Sequence, residues 1–279
     1  MTNFNHNINH NHATEYLNTV ITIAKTAGEA ILQVYGTDFN VVKKEDQSPL
    51  TLADLAAHNV IVEGLKALTP DIPILSEESA IASFAERQQW QRYWLIDPLD
   101  GTREFVKRND EFTVNIALID DHKPVLGVVY APVTTLLYFA CHGAGAYKQL
   151  NGGEKQAIHT KIFDPKAPVV AGSRSHSDEK MQTFMQRLEA HLNVKPELIS
   201  MGSSLKIGLV AEGIADVYPR LGPTSEWDTA AAHCVIVEAG GDIVDTSGNS
   251  LRYNDKDSIL NPTFFAVSSK KQHWAQYLN

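Results

Sequence analysis

Cysteine is scarce in this sequence, with only Cys141 and Cys234 among 279 residues. The two are isolated and lack metal-type spacing, so a disulfide-built scaffold is not expected. The first residues have neither a basic segment nor an apolar core, so we expect no secretory signal. These absences favour a cytoplasmic location, and peripheral association with the inner membrane is left open.

Positive charge is also in short supply. Lys and Arg number 24 against 33 Asp and Glu, which gives a formal net charge of −9. Such a surface repels nucleic acid and anionic membranes, so no nucleic-acid partner is expected. Nothing in the sequence indicates a protein partner. An acidic protein that handles a phosphorylated ligand must therefore obtain local positive charge from metal ions or a few placed Lys and Arg residues.

Long hydrophobic runs are limited to residues 125–147, which contain no Asp, Glu, Lys or Arg. A membrane span is one interpretation of this stretch. Pro132, Gly143 and Gly145 interrupt it, however, and favour strands joined by turns. We expect no integral membrane segment.

The apolar pattern predicts an α/β (α+β) protein. Helical spacing indicates helices over 14–36 and 51–68, the second ending before Pro70. Strands are expected at 74–75, 93–96, 112–119, 125–130 and 135–140, and strands alternate with helices from 169 to 239. We divide the chain into an Asn/His-rich disordered tail (1–12), an N-terminal half (13–155) and a C-terminal half (156–279).

The most informative segment is acidic and follows a predicted strand: Asp97-Pro98-Leu99-Asp100-Gly101-Thr102. Two carboxylates in a tight turn can converge on one point, and they repel each other unless a cation lies between them. Oxygen ligands of this kind suit Mg²⁺, and the Leu99 carbonyl is a natural additional ligand. An ordinary Asx-type turn remains open as the alternative. The two-residue gap between the aspartates differs from the Asp-x-Asp of haloacid-dehalogenase-type phosphatases and weakens a phospho-aspartate interpretation.

Three other features support a metal site. Glu77 follows a short apolar strand, and strand ends are where ligands gather in open α/β sheets. Asp228 lies at the predicted start of a helix, where it could equally be a helix N-cap. Asp54 and Thr102 are a possible base and hydroxyl pair, although Asp54 could also be a solvated acid in the first turn of its helix.

Three blocks together resemble the inositol monophosphatase superfamily of Mg²⁺-dependent phosphatases: Ser76-Glu77-Glu78-Ser79, the segment 97–102, and Trp227-Asp228-Thr229-Ala230-Ala231. The resemblance implies a layered αβαβα sandwich of the inositol monophosphatase / fructose-1,6-bisphosphatase type. Within the superfamily, residues 97–118, 202–206 and 218–224 resemble the 3′(2′),5′-bisphosphate nucleotidases of the CysQ type. The implied substrate is a small nucleotide bisphosphate, adenosine 3′,5′-bisphosphate, which would be cleaved to AMP.

The resemblance also implies roles for individual residues. The metal ligands, for two or three Mg²⁺, would be Glu77, Asp97, the Leu99 carbonyl, Asp100 and Asp228. Asp54 and Thr102 would polarise the attacking water, and the Gly101 and Thr102 N–H groups could bind phosphate oxygens. The substrate would also contact His176, Ser203, Lys206, Arg220 and Asp228. Two alternatives stay open: an inositol monophosphatase or sugar bisphosphatase on the same scaffold, and a non-catalytic nucleotide or metal sensor.

Overall fold

The computed structural model describes residues 11–37, 49–173 and 179–278. The helices are α1 (Asn11–Tyr35), α2 (Pro49–Leu68), α3 (Phe84–Arg87), α4 (Thr102–Lys107), α5 (Glu179–Leu192), α6 (Leu205–Ala211) and α7 (Ala230–Glu238). Two 3₁₀ helices span Glu226–Asp228 and Trp274–Tyr277. The strands of the N-terminal half are β1 (Ile74–Ser76), β2 (Arg92–Asp100), β3 (Thr113–Asp120), β4 (Lys123–Ala131), β5 (Leu136–Cys141), β6 (Gly145–Leu150) and β7 (Gln156–Ala157). The later strands are β8 (Val169–Gly172), β9 (Glu197–Ser200), β10 (Val217–Arg220), β11 (Asp242–Asp245) and β12 (Phe264–Val267).

Two sheets organise these strands. The first has seven strands in the order β1-β2-β3-β4-β5-β6-β7, with β1 parallel to β2 and every other pair antiparallel. The second has five strands in the order β11-β12-β10-β8-β9, in which β10, β8 and β9 run parallel. Strand β7 extends the first sheet just beyond residue 155, and the division of the chain at that residue stays a prediction.

The layers follow from which face of each strand is apolar. Successive side chains of β12 point to opposite faces of the second sheet. Phe264 and Ala266 belong to the core between the two sheets, and Phe265 and Val267 belong to the core on the far side of the second sheet. Helices α1 and α2 cover one face of the first sheet. Helices α6 and α7 fill the space between the sheets, and α5 with the C-terminal 3₁₀ helix covers the far face of the second. The predicted αβαβα sandwich is confirmed.

Both faces of the first sheet are buried, and this explains the hydrophobic run at 125–147. The run becomes β4, β5 and the start of β6, with Gly143 at positive φ in the turn between the last two and Gly145 at positive φ as the first residue of β6. Apolar residues on both faces of a strand are what a sheet covered by helices requires. Among the described residues, no helix is long and apolar enough to cross a membrane.

The predicted first residues of several helices were wrong. Helix α1 begins at Asn11, so the last two residues of the predicted tail are helical, and residues 1–10 lie outside the described residues. Helix α2 begins at Pro49, which places Asp54 in its second turn rather than its first. Helix α7 begins at Ala230, two residues after the predicted start at Asp228.

Candidate active site and family

Strand β2 ends in the acidic turn. Its pairing with β3 shifts register between Asp97 and Asp100, so the strand bends where the two carboxylates lie. Asp97 is 1% exposed, and its Oδ1 accepts a 3.1 Å hydrogen bond from the Leu99 N–H. This is the Asx-type turn that the sequence left as an alternative. The turn and a metal site are compatible, because the hydrogen bond occupies only one of the two carboxylate oxygens of Asp97.

Gly101 allows the chain to leave β2 and enter α4. Its φ of +95° lies in the left-handed region, where a side chain is strained. A Cβ atom there would lie 3.2 Å from the Glu111 carbonyl oxygen and from the Phe112 Cα. Thr102, the first residue of α4, follows this turn two residues after Asp100.

Three carboxylates from separate elements meet at this strand end. Glu77, Asp97 and Asp228 each place one oxygen within 4.8 Å of the oxygens of the other two. Glu77 follows β1, whose parallel register sets Ser76 opposite Ile96, and its N–H donates to the Ile96 carbonyl at 3.3 Å. The parallel pairing of β1 and β2 therefore brings Glu77 beside Asp97.

The carboxylates of this cluster destabilise one another's charged forms. Burial, followed by repulsion from Asp100 and Glu77, raises the pKa of Asp97 well above its usual value. Burial and Asp100 also raise the pKa of Glu77, and they raise the pKa of Asp228 to about 7. Acids in this state are poised to bind a cation, because a positive ion relieves the repulsion.

Asp228 lies in a 3₁₀ turn and is not the N-cap of α7. Its Oδ2 accepts a 3.0 Å hydrogen bond from the Ser225 N–H in a capping box, and Thr229 is the N-cap residue of α7. The N-cap interpretation was therefore wrong: Asp228 is the N3 residue of a capping box whose N-cap is Ser225, and its carboxylate also belongs to the acidic cluster.

Asp54 is buried on α2, which contacts α4, the helix that begins with Thr102. Burial, with repulsion from Glu78 and Glu77, raises the pKa of Asp54 to about 8. Thr102 itself is exposed. The fold therefore brings together the two elements that carry the predicted base and hydroxyl, and their roles stay predictions.

The residues at 201–206 form the wall opposite the acidic turn. Ser203 has a φ of +45°, and its buried hydroxyl has no hydrogen-bond partner among the described residues. Lys206 is buried rather than solvated, and its Nζ donates to the Ser203 carbonyl at 2.6 Å. The ammonium group lies 5.3 Å from the centre of the Tyr218 ring and lowers the pKa of Asp100, although burial outweighs this effect.

A cleft of about 370 Å³ opens between these walls. Of the residues predicted from the sequence, its lining includes Asp100, Gly101, Thr102, Ser203, Lys206, Arg220 and Asp228. Arg220 donates from Nη2 to the Pro223 carbonyl at 2.9 Å, and its buried Nε has no partner in the described part of the chain. His176 lies outside the described residues.

Sequence reasoning missed the polar residues beneath Asp100. Asp100 accepts from the Ser204 N–H at 2.6 Å, and the Ser204 hydroxyl donates to Asn115 Oδ1 at 2.9 Å and lies 2.9 Å from Thr113 Oγ1. A signal was present, because Thr113 and Asn115 are polar positions in an otherwise apolar stretch. Such residues within a buried strand require hydrogen-bond partners.

Comparison with known proteins agrees with this geometry. The sequence model of the inositol monophosphatase family matches residues 12–278. The chain belongs to the inositol monophosphatase family. The predicted family is thereby confirmed, and the match extends over nearly the whole chain.

Two relatives within the family are closely similar. The chain is 52% identical over 250 residues to the 3′(2′),5′-bisphosphate nucleotidase CysQ of Salmonella typhimurium, covering 89% of this chain and 98% of that protein. The crystal structure of CysQ from Bacteroides thetaiotaomicron is 42% identical with a TM-score of 0.82, covering 91% of this chain and 97% of that one. The inositol monophosphatase of Anabaena is 22% identical with a TM-score of 0.71, covering 96% of each chain, and shows the shared fold.

Proposed function

We propose that this protein is a metal-dependent phosphatase that hydrolyses adenosine 3′,5′-bisphosphate to AMP and phosphate. We infer the substrate from the 52% identity to a 3′(2′),5′-bisphosphate nucleotidase over 98% of that protein's length. The acidic cluster beside a cleft that contains Lys206 and Arg220 supports phosphate chemistry independently.

The residues present fit a magnesium site. Phosphatases of this family are metal-dependent, and the donor set here is entirely oxygen, as a hard cation requires. Glu77, Asp97 and Asp228 offer oxygens within 4.8 Å of one another, and Asp100 is close enough to raise the pKa of all three. We assign two or three Mg²⁺ to these carboxylates and the Leu99 carbonyl.

Bound Mg²⁺ would supply the positive charge that stabilises a phosphoryl-transfer transition state and would promote ionisation of a water. Side chains and backbone groups of the protein would position the water, accept its proton and bind the phosphate. Thr102 Oγ1 would accept a hydrogen bond from the attacking water, and Asp54 would receive the proton in its ionised form, which bound Mg²⁺ would favour by offsetting the repulsion from Glu78 and Glu77. The N–H groups of Gly101, which has left-handed backbone angles, and of Thr102 would hold phosphate oxygens.

The other wall of the cleft is proposed to hold the nucleotide. The Ser203 hydroxyl and the Arg220 Nε are buried polar groups that lack partners in the described part of the chain, so a ligand in the cleft could satisfy both. Lys206 and Arg220 provide local positive charge on a protein whose net charge is −9. His176 is proposed as a further contact.

A phosphate-release assay at equal substrate concentrations tests the proposal. Adenosine 3′,5′-bisphosphate should be hydrolysed at least about tenfold more efficiently than inositol 1-phosphate or fructose 1,6-bisphosphate, and EDTA should abolish turnover. Faster hydrolysis of either sugar phosphate would identify the chain as a phosphatase of the other type. Tight binding of the bisphosphate without phosphate release would identify a sensor.

Asp97→Asn tests the metal assignment separately. The amide keeps the size of the side chain and an oxygen for the Leu99 N–H, but it removes the charge, so we expect a folded protein with roughly a thousandfold less Mg²⁺-dependent activity. Asp71→Asn, at an exposed position before β1, is the matched control. Substantial Mg²⁺-dependent turnover in folded Asp97→Asn protein would disprove the assignment.

A further inference from the structure

A chain of buried polar side chains leads from Asp242 to the turn that carries Asp228. His233, the fourth residue of α7, places its Nε2 2.7 Å from Asp242 Oδ1 and its Nδ1 2.9 Å from the Tyr253 hydroxyl. The Tyr253 hydroxyl donates to Thr229 Oγ1 at 3.3 Å. These four side chains are all buried, and none of them takes part in the proposed chemistry.

Thr229 connects this chain to the acidic cluster. It follows Asp228 directly and lines the cleft. Its hydroxyl donates to the Glu226 carbonyl at 3.1 Å, within the 3₁₀ turn that carries Asp228. Asn261 donates to the same hydroxyl at 3.2 Å and to the Ser225 carbonyl at 2.7 Å. The hydrogen bonds that Thr229 accepts therefore help to fix the position of Asp228.

Asp242 anchors the other end of the chain. Its Oδ2 accepts a 2.6 Å hydrogen bond from the Ser250 hydroxyl and pairs with the Lys270 ammonium group, and its Oδ1 also accepts from the Ile243 N–H at 2.7 Å. Burial raises the pKa of Asp242, but His233 and Lys270 outweigh this effect and lower it to about 2. Asp242 is therefore ionised at neutral pH and can only accept hydrogen bonds.

Counting the protons of the chain gives the charge of His233. Thr229 donates its only hydroxyl proton to the Glu226 carbonyl, so the proton between Thr229 and Tyr253 comes from Tyr253. Burial keeps that hydroxyl neutral by raising the pKa of Tyr253 well above its usual value. The contact between Tyr253 and His233 then needs a proton on Nδ1, and the contact with ionised Asp242 needs one on Nε2. All four bonds form together only when His233 is an imidazolium.

We propose that His233 is a positioning residue for the metal site. As an imidazolium paired with Asp242, it directs the proton of the Tyr253 hydroxyl onto Thr229. Thr229, bonded in this way, holds Asp228 in the acidic cluster. A neutral His233 would accept the Tyr253 proton itself, and the bond to Thr229 would be lost. This inference rests on the proposed metal-dependent function and adds the residues that set the affinity of the site for Mg²⁺.

Tyr253→Phe tests the chain with the smallest change, because it removes the hydroxyl and keeps the ring. Titration calorimetry of the metal-free protein with Mg²⁺ measures affinity without substrate, and phosphate release measures the Mg²⁺ concentration that gives half-maximal activity. The matched control is Tyr93→Phe, at a buried tyrosine of the same core whose hydroxyl has no partner in the described part of the chain. Thermal unfolding verifies that each variant is folded.

We expect Tyr253→Phe to raise the Mg²⁺ dissociation constant and the half-maximal Mg²⁺ concentration by roughly tenfold, the lower end of the effect of removing partners that orient metal ligands. At saturating Mg²⁺, kcat should change about twofold or less, which a general loss of structure would not produce. Tyr93→Phe should leave both Mg²⁺ constants unchanged.

Two substitutions of His233 separate its two bonds. The amide of Asn lies at the level of Nδ1 and can still donate to Tyr253, whereas the amide of Gln lies at the level of Nε2 and reaches Asp242 instead. His233→Gln should therefore weaken Mg²⁺ binding as Tyr253→Phe does, and His233→Asn should retain most of the affinity. Combining His233→Gln with Tyr253→Phe should add little to either loss, because both break the same chain.

Nitrogen NMR of the imidazole rings near pH 7 tests the charge directly. The signals of His233, identified by their absence from His233→Asn, should show a proton on each ring nitrogen. An unprotonated ring nitrogen would overturn the proposal, as would an unchanged Mg²⁺ dissociation constant in folded Tyr253→Phe or an equal change in Tyr93→Phe. A wild type that binds Mg²⁺ but releases no phosphate from the bisphosphate would refute the proposed function, and calorimetry would still decide the role of His233.

Discussion

The Ser204 N–H donates a 2.6 Å hydrogen bond to Oδ2 of Asp100. Asp100 ends β2 in the seven-stranded sheet, whereas Ser204 immediately precedes α6 in the C-terminal half. One oxygen of a predicted metal ligand is thus used to hold the opposite wall of the cleft. The contact couples the geometry of the metal site to that of the loop that carries Ser203 and Lys206.

Replacing Asp100 by Asn and by Ala separates these two roles. Both variants remove the charge, so both should lose most Mg²⁺-dependent activity. Asn retains an oxygen for the Ser204 N–H and Ala does not, so Asp100→Ala should be less stable than Asp100→Asn by about 1–3 kcal/mol, the cost of an unsatisfied buried donor. Urea unfolding in EDTA measures the difference. Equal stabilities would show that the hydrogen bond contributes nothing to folding.

The raised pKa of Asp54 predicts how the metal-free protein responds to pH. Folding raises this pKa from an ordinary value near 4 to about 8, so the folded state binds the proton more tightly than the unfolded state. The associated stability is complete below pH 4 and is lost as the pH rises towards 8. Without metal, the free energy of unfolding should therefore fall over this range.

Asp54→Asn removes that dependence. In EDTA, the variant should be more stable than the wild type at pH 8, by on the order of 3 kcal/mol, with a smaller gain at pH 5. It should also lose activity in Mg²⁺. Urea unfolding at the two pH values measures the gain, and Asp71→Asn provides an exposed control. A gain that is the same at pH 5 and pH 8 would contradict the assigned titration.

Loss of the buried Arg87 side chain, which does not line the cleft, should strongly lower the stability of the protein. It is 2% exposed, pairs with the Asn254 amide oxygen, and donates to the Asp257 carbonyl at 2.7 Å. The Asn254 N–H in turn donates to buried Glu226, two residues before Asp228. Burial raises the pKa of Glu226, and the charge of Arg87 offsets part of this effect, so loss of the guanidinium would leave the buried acid less compensated.

Arg87→Met should therefore lower the free energy of unfolding by about 3–5 kcal/mol, as loss of one partner in a buried charge network does. The matched control is Arg252→Met, since Arg252 pairs with Asp255 on the surface and should cost about 1 kcal/mol or less. Urea unfolding of both variants measures the contrast. If the two variants lost similar free energies of unfolding, the buried interactions of Arg87 would contribute no more than those of an exposed ion pair.

Gly101→Ala tests the turn between the metal carboxylates and Thr102. The variant combines a φ of +95° with a Cβ placed 3.2 Å from the Glu111 carbonyl oxygen, so Gly101→Ala should lose both stability and activity. Gly143→Ala is the matched control, because its φ is +74° and nothing lies within 4 Å of the added Cβ. The control should cost about 1–2 kcal/mol, the backbone term alone, and retain activity. If both variants lost the same stability and activity, the close contact of the added Cβ at position 101 would not explain the loss.

Much of the secondary structure could be predicted from the sequence, because it depends on the local pattern of apolar and polar residues. Helices α1 and α2 were predictable because their apolar positions recur at helical spacing, and β2 to β5 because apolar and aromatic residues dominate them. The ends were less certain: α7 begins after Asp228 because a separate 3₁₀ turn, closed by the Ser225–Asp228 capping box, comes first. Short strands were predicted unevenly: β1 was expected at 74–75, whereas β9, β11 and β12 were not predicted, since four residues contain little pattern that distinguishes a strand from a loop.

The sequence by itself determined which acids are available, because strand ends, turn residues and the three family blocks are all local. Only the tertiary structure decided that Glu77, Asp97 and Asp228 meet, since their convergence depends on parallel pairing of β1 with β2 and on where the turn before α7 packs. It also decided that Lys206 is buried, whereas a lysine in a sequence is expected to be solvated. Long-range packing sets burial and repulsion, and these set the pKa values on which the proposed chemistry depends.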